Sequence, residues 1–154
     1  MSIDSFEQLP LFHGLTPLQL EVLRPLFTFY ECCNGTVLFK QNDPVDYLYL
    51  MTEGEAIIHY KPEDGEAIII THVRSGGVVG WSAVIGRHIY TSGAICTEHS
   101  RMFRIRSIDL TSLIQNYPEI GSFLFERLAN LVAQRGNTHP QVVALLNKSI
   151  SGGV

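Results

Sequence analysis

The sequence predicts a mainly β domain, a jelly-roll β-barrel with flanking N- and C-terminal helices. Three observations carry that expectation. Between Phe27 and Arg106, short β-prone runs alternate with turns rich in Gly, Pro, Asn and Asp. Before and after that stretch, the apolar residues recur with a helical period instead. The chain has 154 residues, 45% of them hydrophobic, which suits one domain with a real core. Many short strands at regular spacing then point to a closed or rolled all-β architecture.

In order, Phe6 to Leu11 can form one helical turn. Thr16-Pro17-Leu18-Gln19 reads as a helix start. Threonine caps, proline sits at the first helical position and glutamine closes a capping box. Leu15, Leu18, Val22 and Leu26 mark its expected apolar face, and Pro25 ends or bends it. Expected strands are Phe27–Tyr30, Thr36–Gln41, Tyr47–Met51, Ala56–Tyr60, Ala67–Val73, Ile89–Thr97 and Met102–Ile105. Asn34-Gly35, Asn42-Asp43-Pro44, Glu53-Gly54 and Pro62-Glu63-Asp64-Gly65 supply turns between them. Ser107 is expected to cap a short helix through Leu113 and Ile114. Pro118 opens a longer one with a stripe of Ile120, Leu124, Leu128 and Leu131. Gly136-Asn137 reads as its stop, Thr138 as the start of a last short helix, and Ser149 to Val154 as a frayed tail. The expected division is therefore a domain over 1–135 and a short helix and tail over 136–154.

Composition excludes several classes. A formal charge of −4 argues against broad binding to nucleic acid or anionic membrane. No apolar run reaches membrane-spanning length, and MSIDSFEQLP lacks a signal peptide's basic and apolar regions. Cys32, Cys33 and Cys96 make a poor disulfide framework and read as small core residues in a reducing cytoplasm.

The candidate binding stretch is Gly76 to Ala94. Gly76, Gly77 and Gly80 allow close backbone approach. Ser82 is expected to cap a short helix whose free amides could face an anion. Arg87 and His88 add positive charge; Trp81 and Tyr90 add flat aromatic surface. The plainer reading is a tight turn between strands with the aromatics filling core. The candidate ligand-binding set is Gly80, Trp81, Ser82, Ala83, Arg87, Tyr90 and Thr91, for a small or anionic ligand.

The order of these elements and their glycines resembles the cyclic-nucleotide-binding domain of the catabolite-activator superfamily of bacterial regulators. The matching residues are Gly35-Thr36-Val37-Leu38-Phe39, Asp43 through Tyr49, Gly54, Asp64-Gly65, and Gly77 through Gly80. The resemblance covers roughly residues 10 to 135. It implies a β-roll between helices, with the Gly76–Ala94 stretch as the phosphate-binding cassette. It also implies a glutamate after the glycine equivalent to Gly80, bonding ribose, and an arginine leading the next strand, pairing with the cyclic phosphate. This chain has Trp81 and Tyr90 at those places, with Arg87 three residues earlier. Losing a charge-assisted and often bidentate contact argues against tight binding of cyclic AMP or cyclic GMP.

Three other functions find less support in the sequence. A cupin-type metal enzyme shares the jelly-roll shape, but none of the six histidines forms an HxH pair, so no metal is expected. No GxSxG elbow or cysteine–histidine signature supports a catalytic nucleophile. DNA reading, as in full-length regulators of the resembled family, needs a module after the long helix, and residues 136–154 are too few for it. The stripe on the helix over 118–135 either packs on its own barrel or forms a homodimer seam, as family members use it. The expectation is thus a non-catalytic cytoplasmic sensor domain, or else a partner-binding module with a sealed pocket.

Overall fold

The computed structural model describes residues 6–133. The expected stop at Gly136-Asn137, the last helix and the tail lie outside the described residues. Eight strands form two antiparallel four-stranded sheets: β1 (Phe27–Cys32), β2 (Val37–Phe39), β3 (Tyr47–Glu53), β4 (Ala56–Tyr60), β5 (Ile68–Val73), β6 (Val78–Val79), β7 (Gly93–Cys96) and β8 (Ser100–Arg106). The first sheet has the order β1-β8-β3-β6 and the second β2-β7-β4-β5. α1 (Pro17–Leu23) precedes the strands; α2 (Ser107–Asn116) and α3 (Pro118–Ala133) follow them. This is the jelly-roll with flanking helices that the sequence predicts.

Strand alternation divides the molecule into two cores. On one face of the first sheet, Phe27, Leu48, Leu50 and Ile105 pack under the helices against Phe12, Leu23, Leu124 and Leu128. On the other face, Tyr49, Met51 and Met102 meet Phe39, Ile58 and Ala94 inside the roll. The register explains this split. Leu48 lies opposite Ile105, and Tyr49 lies opposite Arg104, so adjacent pairs point to opposite cores.

The capping box at the start of α1 forms as read: Gln19 N–H donates to Thr16 Oγ1, and Thr16 N–H to Gln19 Oε1. Of its expected apolar face, Leu15, Val22 and Leu26 pack against the helix-side core, and Leu18 alone does not. Leu18 is 75% exposed, whereas Leu23 is fully buried. A seven-residue helix has too few turns for its period to decide every position of a face, and this one is buried most fully at its C-terminal residue, Leu23. α1 stops before Pro25, in a 3-10 turn over Arg24–Leu26.

Three further expectations need correction. Ser107 is not the cap of α2: Arg106 holds that place, its guanidinium bonded to the Asp109 carboxylate at 3.0 Å. The strand foreseen over Ile89–Thr97 shrinks to β7, because Tyr90 spends its backbone groups on a loop: its N–H donates to Asp43 O and its carbonyl accepts from Asn42 N–H. Cys33 is exposed rather than in the core, while Cys32 and Cys96 are buried.

Candidate functional site

The cassette begins where β6 ends. Gly80 turns the chain at φ +97°, and a Cβ there would lie 2.9 Å from Tyr47 O, so both torsion and space require glycine. The next residues, Trp81–Ala83, form a single 3-10 turn, with Gly80 at the N-cap and no side-chain cap. Ser82 therefore does not cap. Its Oγ accepts from Thr91 N–H at 3.4 Å and ties the two arms of the cassette together. The Ala83 N–H already donates to Gly80 O, so the expected cluster of free amides is partly used internally.

Tyr90 fills the roll behind this turn. Its ring is 1% exposed and stacks on Phe39 with centroids 3.6 Å apart and planes 10° from parallel. Its hydroxyl lies 2.7 Å from Asp46 Oδ1 and 2.6 Å from Tyr47 O, either of which accepts its proton. The same oxygen accepts from Tyr47 N–H at 2.9 Å. Burial, with the Asp46 carboxylate adding to it, holds the phenol above the ordinary tyrosine range. Tyr90 is thus a neutral, fully bonded group with no hydrogen left to offer.

The roll also carries a charge. Arg104 on β8 carries its guanidinium between the rings of Tyr30 and Tyr47, 4.1 Å from each centroid. Arg104 lies opposite Tyr49 on β3 and Thr28 on β1, so the two clasping tyrosines are its diagonal neighbours. Its Nε is buried without a hydrogen-bond partner. Tyr49 is held above the ordinary phenol range by burial first and then by Asp46; Arg104 opposes this. Neither Arg104 nor Asp46 stood among the site residues read from the sequence. A lone arginine at an inward position of β8, between Met102 and Ile105, was the available signal.

The seven predicted residues do not converge on one cavity. Trp81 faces away from the roll, buried in the helix-side core with its ring 5.8 Å from Phe125 of α3. Its Nε1 has no partner. Ala83 belongs to that same core. Arg87 lies outside the roll as well. It lines a cleft of about 240 Å³ between the cassette and α2, with Ala83, His88, Ser107 and Thr111. Arg87 lines this cleft with its Nε buried and unpartnered, whereas Tyr90 belongs to the core of the roll. Among the described residues no group of three or more His, Cys, Asp or Glu could hold a metal ion. No helix among them is long and apolar enough to cross a membrane.

Known proteins share this fold. The family model of the cyclic nucleotide-binding domain matches residues 31–117. The chain is 24% identical over 126 residues to the cyclic AMP receptor protein of Thermus thermophilus, covering 82% of this chain and 56% of that one. A crystal structure of a protein assigned as cyclic nucleotide-binding from Geobacter metallireducens superposes with a TM-score of 0.75 at 28% identity, covering 86% of this chain and 98% of that one. The regulatory subunit of a cAMP-independent protein kinase A from Trypanosoma cruzi, bound to guanosine, shares the fold: its TM-score is 0.71 at 16% identity, over 95% of this chain and 47% of that one. The chain spans between 27% and 56% of the length of the curated relatives it matches. With the two-sheet roll, the cassette turn and the family match over the same residues, this chain belongs to the cyclic nucleotide-binding domain family.

Proposed function

We propose that residues 1–135 form a non-catalytic regulatory domain whose roll does not hold cyclic AMP or cyclic GMP by the family's ribose and phosphate contacts. Tyr90 is the observation that carries this reading. The resemblance aligns it with the phosphate-pairing arginine; it is 1% exposed and has its hydroxyl bonded to Asp46 and Tyr47. The resemblance aligns the family's ribose-bonding glutamate with Trp81, whose ring packs on Phe125 of α3. The cassette therefore couples to the helices through Trp81 and Phe125 rather than to a ligand, and the domain acts through partners.

A second reading, a sensor of a different small ligand, is favoured by Arg104. Its guanidinium is inside the roll, clasped on both faces, with Nε unpartnered. The guanosine-bound trypanosomal neighbour supports a nucleoside without a cyclic phosphate as the first probe. Thermal unfolding of the chain with cyclic AMP, cyclic GMP and guanosine separates the two readings. A ligand at a hundred times its Kd stabilises by about 2.7 kcal/mol. No shift with any of the three supports the partner module. A shift with guanosine that is lost in Arg104→Gln supports the sensor. A saturable shift with cyclic AMP rejects the proposal.

We also propose that the chain forms a homodimer through the outward side of the helix over 118–135. The stripe of Ile120, Leu124 and Leu128 is taken up by the chain's own core, so the support comes from Phe125, 40% exposed, and the partly buried Phe123 and Leu131.

A further inference from the structure

Cys32 ends β1 in the first sheet, and Cys96 ends β7 in the second. Their Sγ atoms lie 3.0 Å apart in the buried interior, with both thiols free. A disulfide needs about 2.05 Å. Small χ1 rotations at the two residues would close the remaining ångström. The backbone already holds them in place: Gly35 N–H donates to Cys96 O at 2.8 Å, and Cys96 N–H donates to Thr36 O at 2.9 Å. Strand β7 is thereby fixed against the turn that follows Cys32.

We propose that Cys32 and Cys96 form a reversible disulfide, a covalent modification site that clips the two sheets of the roll together. With a low-molecular-weight disulfide as oxidant, the thiolate of Cys32, the less buried of the two, attacks one sulfur and releases one thiolate. Cys96 then attacks the mixed disulfide at Cys32 Sγ and releases the second. The S–S bond forms, two protons leave the protein thiols, and two electrons reduce the oxidant to two thiols. Burial and the neighbouring Cys96 thiol push Cys32 up to about 12, so the folded pair reacts slowly and answers sustained rather than brief oxidation. The exposed Cys33 is not part of the clip; it can carry only a mixed disulfide or an intermolecular one.

The clip bears on the roll's interior. The bridged residues are 64 apart in sequence, so the closed loop is long and constrains the unfolded chain strongly. The turn it anchors leads into β2, which carries Phe39, the ring stacked on Tyr90. Oxidation would therefore hold the Phe39–Tyr90 stack in place.

The test uses the full chain carrying Cys33→Ser, an exposed position whose change leaves both cores intact. The folded protein is incubated with oxidised glutathione. The expected product is a Cys32–Cys96 linked peptide pair under non-reducing mapping, with two hydrogens lost. Its Tm should rise by roughly 5–15 °C, and dithiothreitol should reverse the shift. Adding Cys32→Ser to the same background should abolish both signals. Two thiols that stay free for alkylation after subsequent unfolding would overturn the proposal. So would separate glutathione adducts on each cysteine, or a linked product with an unchanged or lower Tm.

Discussion

Tyr90 shows what one side chain does to the chemistry of a site. An arginine there would offer a permanent charge to an anion; tyrosine offers a neutral ring and one oxygen, already bonded to Asp46 and Tyr47. Removing the hydroxyl by Tyr90→Phe leaves the Asp46 carboxylate and the Tyr47 N–H short of a partner. The expected loss is roughly 1–3 kcal/mol, read from urea unfolding. Unchanged stability would show that the hydroxyl does not hold the ring in place. Glu55 gives a pH prediction at the same scale. The Thr97 hydroxyl donates to its Oε1 at 2.6 Å, Arg74 pairs with it at 2.7 Å, and His72 stands nearby. Thr97 first, then His72 and Arg74, hold its carboxyl below the ordinary range against the opposing effect of burial. A depressed folded value means stability that is present above the unfolded carboxylate pKa and lost as pH falls through the folded one. Wild-type stability should therefore fall on acidification more steeply than that of Glu55→Gln. Parallel acid limbs in urea titrations across this range would contradict the assignment.

At the scale of elements, α3 separates packing from association. Leu128 is 1% exposed within a single chain, whereas Phe125 is 40% exposed. Leu128→Asp places an unpaired charge in the helix-side core and should cost about 3–5 kcal/mol, seen as a lower urea midpoint. Phe125→Glu should leave the chain folded but give half the mass in light scattering if the dimer forms through this face. Wild-type chain that is already monomeric at high micromolar concentration would reject the dimer. Elements with strong local signals were legible in the sequence: the Thr16–Gln19 capping box, β4 with both ends, and the Pro118 start of α3. Elements fixed only by tertiary pairing were not. β6 is two residues between glycines, held by Tyr49 and Leu50 of β3. The turn was legible as a place, since the glycine pattern marks Gly80, where the chain reverses at φ +97°. It was not legible as a geometry. Sequence spacing does not say that Trp81 and Tyr90, nine positions apart across a reversing turn, face different cores, or that β8 carries Arg104 into the roll between tyrosines contributed by two other strands.

For the whole molecule, a net charge of −4 should leave duplex DNA unbound at physiological salt. Retardation that resists competitor DNA would contradict this. The roll has the family's fold, and we propose that the Phe39–Tyr90 stack fills its interior in place of a cyclic nucleotide. The ribose and phosphate contacts that the resemblance assigns are charged hydrogen bonds of roughly 1.5–3 kcal/mol each. Losing both weakens binding by about two to four orders of magnitude, before any cost of displacing the Phe39–Tyr90 stack. Calorimetric titration of the wild-type chain with cyclic AMP tests this most directly. No saturable heat is expected at concentrations that fill family members carrying both contacts; one-to-one binding with a micromolar Kd would contradict the proposed loss of cyclic-nucleotide binding.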